Sequence, residues 1–324
     1  MRLVSLAVAA CFLWPAPQQK FTSGAEAVRV DVLVMDGRTP VQGLTAGNFE
    51  LRDSGVLQQV DSVAVEDVPL SVMLAFDTSA SLTGQPLADL KEAALAAVRL
   101  LQPGDRAALM TFTGAVRLRT PWTSDHAALE KGIRAVEASG STTLHDAAYA
   151  AVTLRDAQPG GRPLVLIFSD GMDTASWLPG KNVLEIARRN DAVVYAVTLG
   201  GDAPEVKETA RSAFGTSTTV TQMRLNGYRL DFRSGIQEPV EDAPGATLLE
   251  PFVNALADET GGKVLNAERS DRLRDTFVAV MKEFRSRYLL SYRPRGVDAG
   301  GWHPIEVKLK NARGKVTARR GYLR

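Results

Sequence analysis

Apolar and polar residues alternate at both ends of the chain, and this spacing predicts strands. Within residues 25–65, the stretch AVRVDVLVM places an apolar residue at every second position, which gives a strand one apolar face. The stretch NFELRDSGVLQQVDSVAV then predicts a hairpin around Asp53, Ser54 and Gly55. Residues 287–324 alternate in the same way. Both end segments are therefore predicted to be all-β.

Between these ends, continuous apolar runs replace the alternation, which is typical of strands covered on both faces. Such runs fall at 70–76, 107–113, 164–169, 192–199 and 263–265. Apolar residues at helical spacing lie between the runs, in stripes that begin at Leu87, Leu129, Leu144 and Leu273. This alternation of strand and helix predicts an α/β fold with a mostly parallel, doubly wound sheet.

Residues 201–247 interrupt this rhythm with weak periodicity and many turn-forming residues. They are either a long surface insertion or a segment with a small hairpin, for which RLNGYRL carries the Asn-Gly turn signal. The two β segments at the ends of the chain are each too short to fold alone. We therefore expect them to pair into one small β-sandwich, with the α/β domain inserted between them.

The first 19 residues, MRLVSLAVAACFLWPAPQQ, predict a secretory signal peptide, because one Arg precedes an apolar segment too short to span a bilayer. Export to the periplasm or the cell exterior follows from this. VAAC also resembles a lipoprotein cleavage box, so lipid attachment through Cys11 is an alternative. The predicted domains are 20–66 and 287–324 for the sandwich and 67–286 for the α/β domain.

Polar oxygen-bearing side chains lie directly after the predicted strands. In an open parallel sheet, ligands bind beyond the carboxyl ends of the strands. Asp77, Ser79 and Ser81 follow one strand, Asp170 follows another, and Thr142 lies in the loop entering a helix, so these three loops can converge at one crevice. Carboxylate and hydroxyl oxygens suit a hard cation such as Mg²⁺, with Mn²⁺ or Ca²⁺ as alternatives, whereas zinc favours Cys or His. Each residue by itself is also compatible with helix capping or a loop, and Thr143 is an alternative to Thr142.

The segment Asp77-Thr78-Ser79-Ala80-Ser81 resembles the Asp-x-Ser-x-Ser element of von Willebrand factor A domains. Thr142 matches the isolated Thr of that family, and Asp170 in Ser-Asp-Gly matches its distal Asp. The resemblance covers about 67–286, and it implies a Rossmann-like fold with a metal-ion-dependent adhesion site. The flanks VRVDVLV, FELRDSGV and RYLLSYRP resemble secreted von Willebrand A-related proteins of Acidobacteria.

The resemblance implies a role for each site residue. Ser79, Ser81 and Thr142 would bind the metal directly, while Asp77 and Asp170 would act largely through waters. An ion held by neutral hydroxyls keeps a charge that favours an anionic ligand. The implied function is therefore an exported, Mg²⁺-dependent binding module, not an enzyme, that engages an Asp or Glu carboxylate of a partner protein.

Three residues near this site are further candidates for the rim or for partner contact: His145, Asp173 and Trp177. Trp177 has packing inside the fold as its alternative. A second hypothesis is an envelope scaffold that binds through its sandwich and carries an incidental metal site. A third is a metal-assisted hydrolase, for which His145 is the available base. The net charge of +1 and the lack of glycine-rich phosphate loops give no support to nucleic-acid or nucleotide binding.

Overall fold

The computed structural model describes residues 27–65, 68–154, 161–170, 173–199, 221–225, 228–232 and 249–324. The predicted signal peptide lies outside these residues, as does most of 201–247. The described N-terminal segment forms strands β1 (Val28–Asp36), β2 (Thr39–Pro40), β3 (Phe49–Asp53), β4 (Val56–Gln58) and β5 (Ser62–Ala64). The hairpin predicted at Asp53–Gly55 is the β3–β4 connection, where Ser54 and Gly55 have φ of 51° and 81°.

The central part alternates strands and helices, as the sequence predicts, and it contains further elements that the sequence did not predict. Its elements are β6 (Leu70–Asp77), α1 (Gln85–Val98), β7 (Arg106–Phe112), β8 (Val116–Thr123), α2 (His126–Arg134), α3 (Leu144–Thr153), β9 (Arg162–Ser169), α4 (Gly180–Arg188), β10 (Val193–Leu199), β11 (Thr221–Leu225), β12 (Tyr228–Phe232), α5 (Leu249–Thr260), β13 (Lys263–Ala267) and α6 (Leu273–Arg285). The C-terminal strands are β14 (Tyr288–Tyr292), β15 (Trp302–Leu309), β16 (Lys315–Ala318) and β17 (Gly321–Leu323).

The central sheet has the strand order β13-β10-β9-β6-β7-β8, and its pairs are parallel except β7–β8. The prediction of a mostly parallel, doubly wound sheet is therefore confirmed. The chain moves outward from β6 to β7 on one side, and it returns through β9 on the other. The topological switch point lies between β6 and β9, where ligands of such sheets bind.

Helices cover both faces of this sheet, which explains the continuous apolar runs. All eight residues of β6 are buried, and their side chains alternate between two cores. Leu74 and Phe76 pack with residues of α1, α2 and α6 on one face. Met73 and Ala75 pack with residues of α3, α4 and α5 on the other face. Because β6 is buried on both faces, its last residue, Asp77, is also enclosed.

Strand β8 and helices α4 and α5 were not predicted. Strand β8 is an edge strand in which charged residues alternate with apolar ones, so it lacks a continuous apolar run. Helix α4 buries only Val183 and Ala187. Helix α5 did carry a signal, because Phe252, Val253 and Leu256 are buried at helical spacing. It directly follows the irregular segment 201–247, whose weak periodicity masked it.

The two ends of the chain build one β-sandwich, as predicted. One sheet has the order β16-β1-β14-β5, and the other has the order β17-β15-β3-β4, so each sheet contains strands from both ends of the chain. Side chains from both sheets form one core, in which the rings of Phe49 and Tyr288 lie 5.4 Å apart. Neither end segment would bury its apolar face without the other.

Strands β11 and β12 pair as an antiparallel hairpin, with Leu225 opposite Tyr228. The hairpin alternative for this segment is thus confirmed, and the Asn-Gly pair at 226–227 lies outside the described residues. Among the residues that the structure describes, no helix is both long and apolar enough to span a membrane.

Candidate metal centre

Asp77 and Asp170 lie at the carboxyl ends of the adjacent strands β6 and β9. Asp77 is the last residue of β6 and is fully buried. Its Oδ1 accepts a hydrogen bond from the Ser79 amide at 2.9 Å, and its Oδ2 accepts one from the Ser169 hydroxyl at 2.6 Å. Asp170 directly follows Ser169. Both carboxylates therefore stand at the topological switch point of the sheet.

The serine hydroxyls connect these two carboxylates. A short 3₁₀ turn, Ala80–Leu82, brings the Ser81 Oγ to 3.0 Å from the Ser79 Oγ. Ser81 in turn donates a hydrogen bond to Asp170 Oδ1 at 3.2 Å. Two neighbouring ligands of an octahedral ion with bonds of about 2.1 Å lie about 3.0 Å apart. The spacing of the two serine oxygens therefore fits an ion of the Mg²⁺ type.

Thr142 is held at the same edge of the sheet by its main chain. The Ala80 amide donates to the Gly140 carbonyl at 3.1 Å, which ties the loop of Thr142 to the serine loop. On its other side, the Thr142 amide donates to Thr174 Oγ1 at 3.0 Å, and the Thr174 amide donates to the Thr142 carbonyl at 2.9 Å. The loops that carry the five predicted ligands therefore meet at one place.

Thr143, the alternative ligand, has its hydroxyl engaged elsewhere. Thr143 Oγ1 donates to the Thr113 carbonyl at 2.8 Å, which fastens the start of α3 to the loop after β7. A hydroxyl used in this way is less suited to a metal ion. The geometry therefore favours Thr142 as the threonine of the site.

Burial changes the protonation behaviour of both carboxylates. Desolvation raises the pKa of Asp77 from 3.8 to about 6, against the opposing hydrogen bonds from Ser169 and Ser79, and the charge of Asp170 adds to the increase. Desolvation also raises the pKa of Asp170, and the Ser81 hydrogen bond opposes it. In the described part of the chain, no cluster of three or more His, Cys, Asp or Glu side chains would hold a metal. The predicted donor set of two carboxylates with three hydroxyls stays a prediction.

His145 does not lie at the rim, which corrects the expectation from the sequence. It is 5% exposed, and its ring packs edge-to-face on Phe252 with 4.3 Å between centroids. His145 Nδ1 donates to the Leu178 carbonyl at 3.1 Å, because a carbonyl only accepts. Among the described residues, its contacts involve neither Ser79 nor Asp170. The residue is buried because it faces inward from the first turn of α3.

Asp173 caps helix α3, and its predicted role in partner contact stays a prediction. Its Oδ1 accepts from the amides of Leu144 and His145 at 2.8 and 3.3 Å, which satisfies donors at the helix N-terminus. In the opposite direction, the carboxylate of Asp146 in α3 accepts hydrogen bonds from the loop after β9. The donors are the amides of Trp177 and Leu178, at 3.0 and 2.9 Å. These contacts hold the loop after β9 against the start of α3.

Trp177 is the one rim candidate whose side chain faces solvent. It is 92% exposed, so the alternative that it packs inside the fold is wrong. Trp122 is partly buried against the core on the side of α3. Trp302 is 38% exposed, and the guanidinium of Arg188 lies 5.3 Å from the centroid of its ring. A role for Trp177 in partner contact stays a prediction.

Residues 72–172 match the family model described as von Willebrand factor type A domain. No curated protein sequence matches the chain. Among solved structures, a von Willebrand factor type A protein from Catenulispora acidiphila is 13% identical, with 90% of this chain and 75% of that chain covered and a TM-score of 0.51. Proximal thread matrix protein 1 of the mussel byssus, with a zinc-occupied MIDAS motif, is 14% identical. The match covers 71% of this chain and 49% of that chain, with a TM-score of 0.50. Identities this low show a shared fold alone.

Proposed function

Because the chain carries a von Willebrand factor A domain, we propose that it is an exported binding protein that engages an acidic residue of a partner protein through a divalent metal ion. Domains of this family mediate protein interactions. The observation that carries the proposal is the continuous series of contacts from Asp77 through Ser79 and Ser81 to Asp170. It gathers oxygen ligands where such a sheet binds its ligands.

Ser79, Ser81 and Thr142 would hold the ion directly, and Asp77 and Asp170 would hold its waters. When bound, the ion supplies a Lewis-acidic position for a carboxylate oxygen of the partner. The protein keeps the hydroxyls in place through the hydrogen bonds between the loops. Because hydroxyls are neutral, they leave more of the ion's charge for the partner than carboxylate ligands would.

Mg²⁺ is the proposed ion, with Mn²⁺ and Ca²⁺ as the nearest alternatives. An all-oxygen donor set suits these hard cations. Zn²⁺ belongs in the same titration, because the mussel protein has a zinc-occupied MIDAS motif. Zn²⁺ generally binds protein ligands more tightly than earlier divalent metals do, so it would compete with Mn²⁺ and Mg²⁺ for the site.

Titration of the metal-free protein with Mg²⁺ by calorimetry tests the site. Ser81→Ala removes one hydroxyl from an exposed position, so we expect the fold to persist and the Mg²⁺ affinity to fall at least tenfold. Ser141→Ala is the matched control, because Ser141 is also exposed and lies next to Thr142. Equal heats from the wild-type protein and Ser81→Ala would contradict the assignment.

Partner binding is proposed in place of catalysis. The burial of His145 against Phe252 supports this, since the imidazole considered as the base of a hydrolase is not presented to a substrate. Co-purification from the native host, in Mg²⁺ and in chelator, tests the binding. Partners that are lost in chelator support the metal-dependent module. Partners retained equally in both would favour the envelope scaffold that binds through its sandwich.

Export is proposed from the pattern of the first 19 residues. Mass spectrometry of the protein from the native host measures the mature N-terminus. A start near residues 17–20 supports cleavage of a signal peptide. A lipid-modified Cys11 at the new N-terminus would favour a membrane-anchored lipoprotein.

A further inference from the structure

The indole of Trp177 is 92% exposed, although large aromatic side chains normally bury most of their surface. Among the residues that the structure describes, none packs over the indole. Trp is enriched among the residues that contribute most to binding energy, so an exposed indole is a candidate for contact with a partner.

The main chain around Trp177 is fixed in place. Asp146 accepts from the amides of Trp177 and Leu178 at 3.0 and 2.9 Å. Ser176 Oγ donates to Asp173 Oδ1 at 2.5 Å and accepts from the Asp146 amide at 3.2 Å. These bonds join the loop to the first turn of α3. An indole on such a support loses little conformational entropy when a partner binds.

Trp177 is also close to the candidate metal centre. Thr174 exchanges hydrogen bonds with Thr142 through both main chain and side chain. Trp177 follows three residues later, so its Cα lies at most roughly 11 Å from that of Thr174. An extended segment covers roughly 3.3 Å per residue. A few residues of a partner would therefore reach from the metal to the indole.

The surroundings of the indole favour an apolar side chain over a cation. The carboxylate of Asp146 is occupied by two amides, and Asp173 accepts from amides of α3. A Lys or Arg of the partner that paired with either acid would therefore compete with these hydrogen bonds. Leu178 is half-buried and Pro179 is exposed, which extends the apolar surface.

We propose that Trp177 is a second contact point of the site, and that the partner segment carries a bulky aliphatic or aromatic side chain about two to four residues from its acidic residue. The acid binds the metal, and the apolar side chain packs on the indole. This inference rests on the proposed function and specifies its partner.

Fluorescence polarisation with short labelled peptides tests the pairing on the full-length protein in Mg²⁺. Each peptide is otherwise Gly and Ser, with Asp or Asn at one position and Leu or Gly two, three or four positions away. We expect peptides with Asp and Leu to bind at least tenfold more tightly than peptides with Asp and Gly, for at least one spacing. Trp177→Ala should remove this advantage and leave the requirement for Asp and Mg²⁺.

Two further variants make the result specific to a supported indole. Asp146→Ala keeps the indole and releases the loop, so it should reduce the advantage of Leu in part. Leu118→Ala is the matched control, because Leu118 is an exposed apolar residue, 43% exposed, on the edge strand β8. It should leave the binding of every peptide unchanged.

The outcomes separate the inference from the proposed function. If Asp and Mg²⁺ are required but Leu adds nothing, or its advantage survives Trp177→Ala, the contact at Trp177 is wrong. If Asn peptides bind as well as Asp peptides, or chelator has no effect, the proposed function itself is wrong. If no peptide binds, the paired contact is overturned, and the magnesium calorimetry decides whether the metal centre stands.

Discussion

Ser169 Oγ donates a hydrogen bond of 2.6 Å to Asp77 Oδ2 across the two central strands of the sheet. With the Ser79 amide on Oδ1, this bond orients a carboxylate that is fully buried. The two hydrogen bonds offset only part of the desolvation penalty, which is why the pKa of Asp77 stays raised. The metal-free fold therefore keeps Asp77 protonated to a higher pH than an exposed Asp.

We predict that the metal-free protein becomes less stable as the pH rises through about 6. The pKa of Asp77 is about 6 in the folded chain and 3.8 as a reference. The stabilising contribution of its protonated form is complete below pH 3.8 and is lost as the pH rises through about 6. Between about pH 4.5 and about pH 7.5, the free energy of unfolding should fall by about 2 kcal/mol from this cause.

Urea unfolding of the chelator-treated protein across this range measures the effect. Asp77→Asn keeps the side-chain shape and cannot ionise, so its free energy of unfolding should lose this part of the pH dependence. The prediction would be contradicted if the free energy of unfolding changed with pH equally in the wild-type protein and in Asp77→Asn.

Asp53 of β3 should be the most sensitive polar residue of the sandwich. It is fully buried and accepts from Tyr322 at 2.8 Å, Tyr292 at 2.9 Å and His303 at 3.0 Å. Burial by itself raises the pKa of Asp53, but these hydrogen bonds outweigh burial and lower the pKa overall. Asp53→Ala leaves three buried groups without an acceptor, so we expect a loss of about 3–5 kcal/mol.

Urea unfolding followed by circular dichroism checks this loss. Asp61→Ala is the control on the same sandwich, because Asp61 is exposed and pairs with the exposed Arg293 at 3.3 Å. Its effect should stay within about 0.5 kcal/mol. Similar losses in the free energy of unfolding for both variants would show that the buried cluster contributes no more to stability than the exposed ion pair.

Arg162 joins the central sheet to the sandwich, and its removal should destabilise both. It is fully buried at the start of β9 and forms an ion pair with Asp31 of β1. It also donates to the carbonyls of Val65 at 2.9 Å and Arg287 at 3.2 Å. Arg162→Ala leaves a buried carboxylate unpaired, so we expect a cost of about 3–5 kcal/mol.

Arg162→Lys should recover only part of this cost, since an ammonium group lacks the planar fork that reaches several acceptors. Arg189→Ala is the control, because its ion pair with Glu185 is exposed and should contribute less than about 1 kcal/mol. Thermal unfolding of the three variants measures the order of their losses in stability. Full recovery by Lys would contradict the role of the fork.

Gly262 should tolerate no side chain. A Cβ built there would lie 1.8 Å from the Val194 carbonyl oxygen, which belongs to the main chain of β10 and has little freedom to move. Gly262→Ala should therefore lower the thermal midpoint strongly or prevent folding. Gly47→Ala is the control, since the nearest atom to a Cβ at Gly47 is Thr45 Oγ1, at 3.9 Å. Equal midpoints for both variants would refute the close approach.

The strand ends show how far the sequence alone could locate the candidate site. Asp77 follows a continuous apolar run, and such a run predicts a strand of the central sheet. The ends of parallel strands meet at one edge, so Asp77, Ser81 and Asp170 could be predicted as neighbours. Nothing in the local pattern could have predicted that Asp77 Oδ2 faces Ser169 or that the Thr143 hydroxyl is taken by Thr113.

The sequence by itself determined the doubly wound sheet, the pairing of the chain's ends into a sandwich and the strand ends that carry the oxygen ligands. The periodicity of apolar residues shows which positions of each element are buried. The sheet, the sandwich and the strand ends could be predicted because they depend on this pattern of burial. Only the tertiary structure decided that His145 is buried, that Trp177 is exposed and that Asp173 caps α3. Those outcomes depend on which elements pack together, because a side chain far along the sequence supplies each contact.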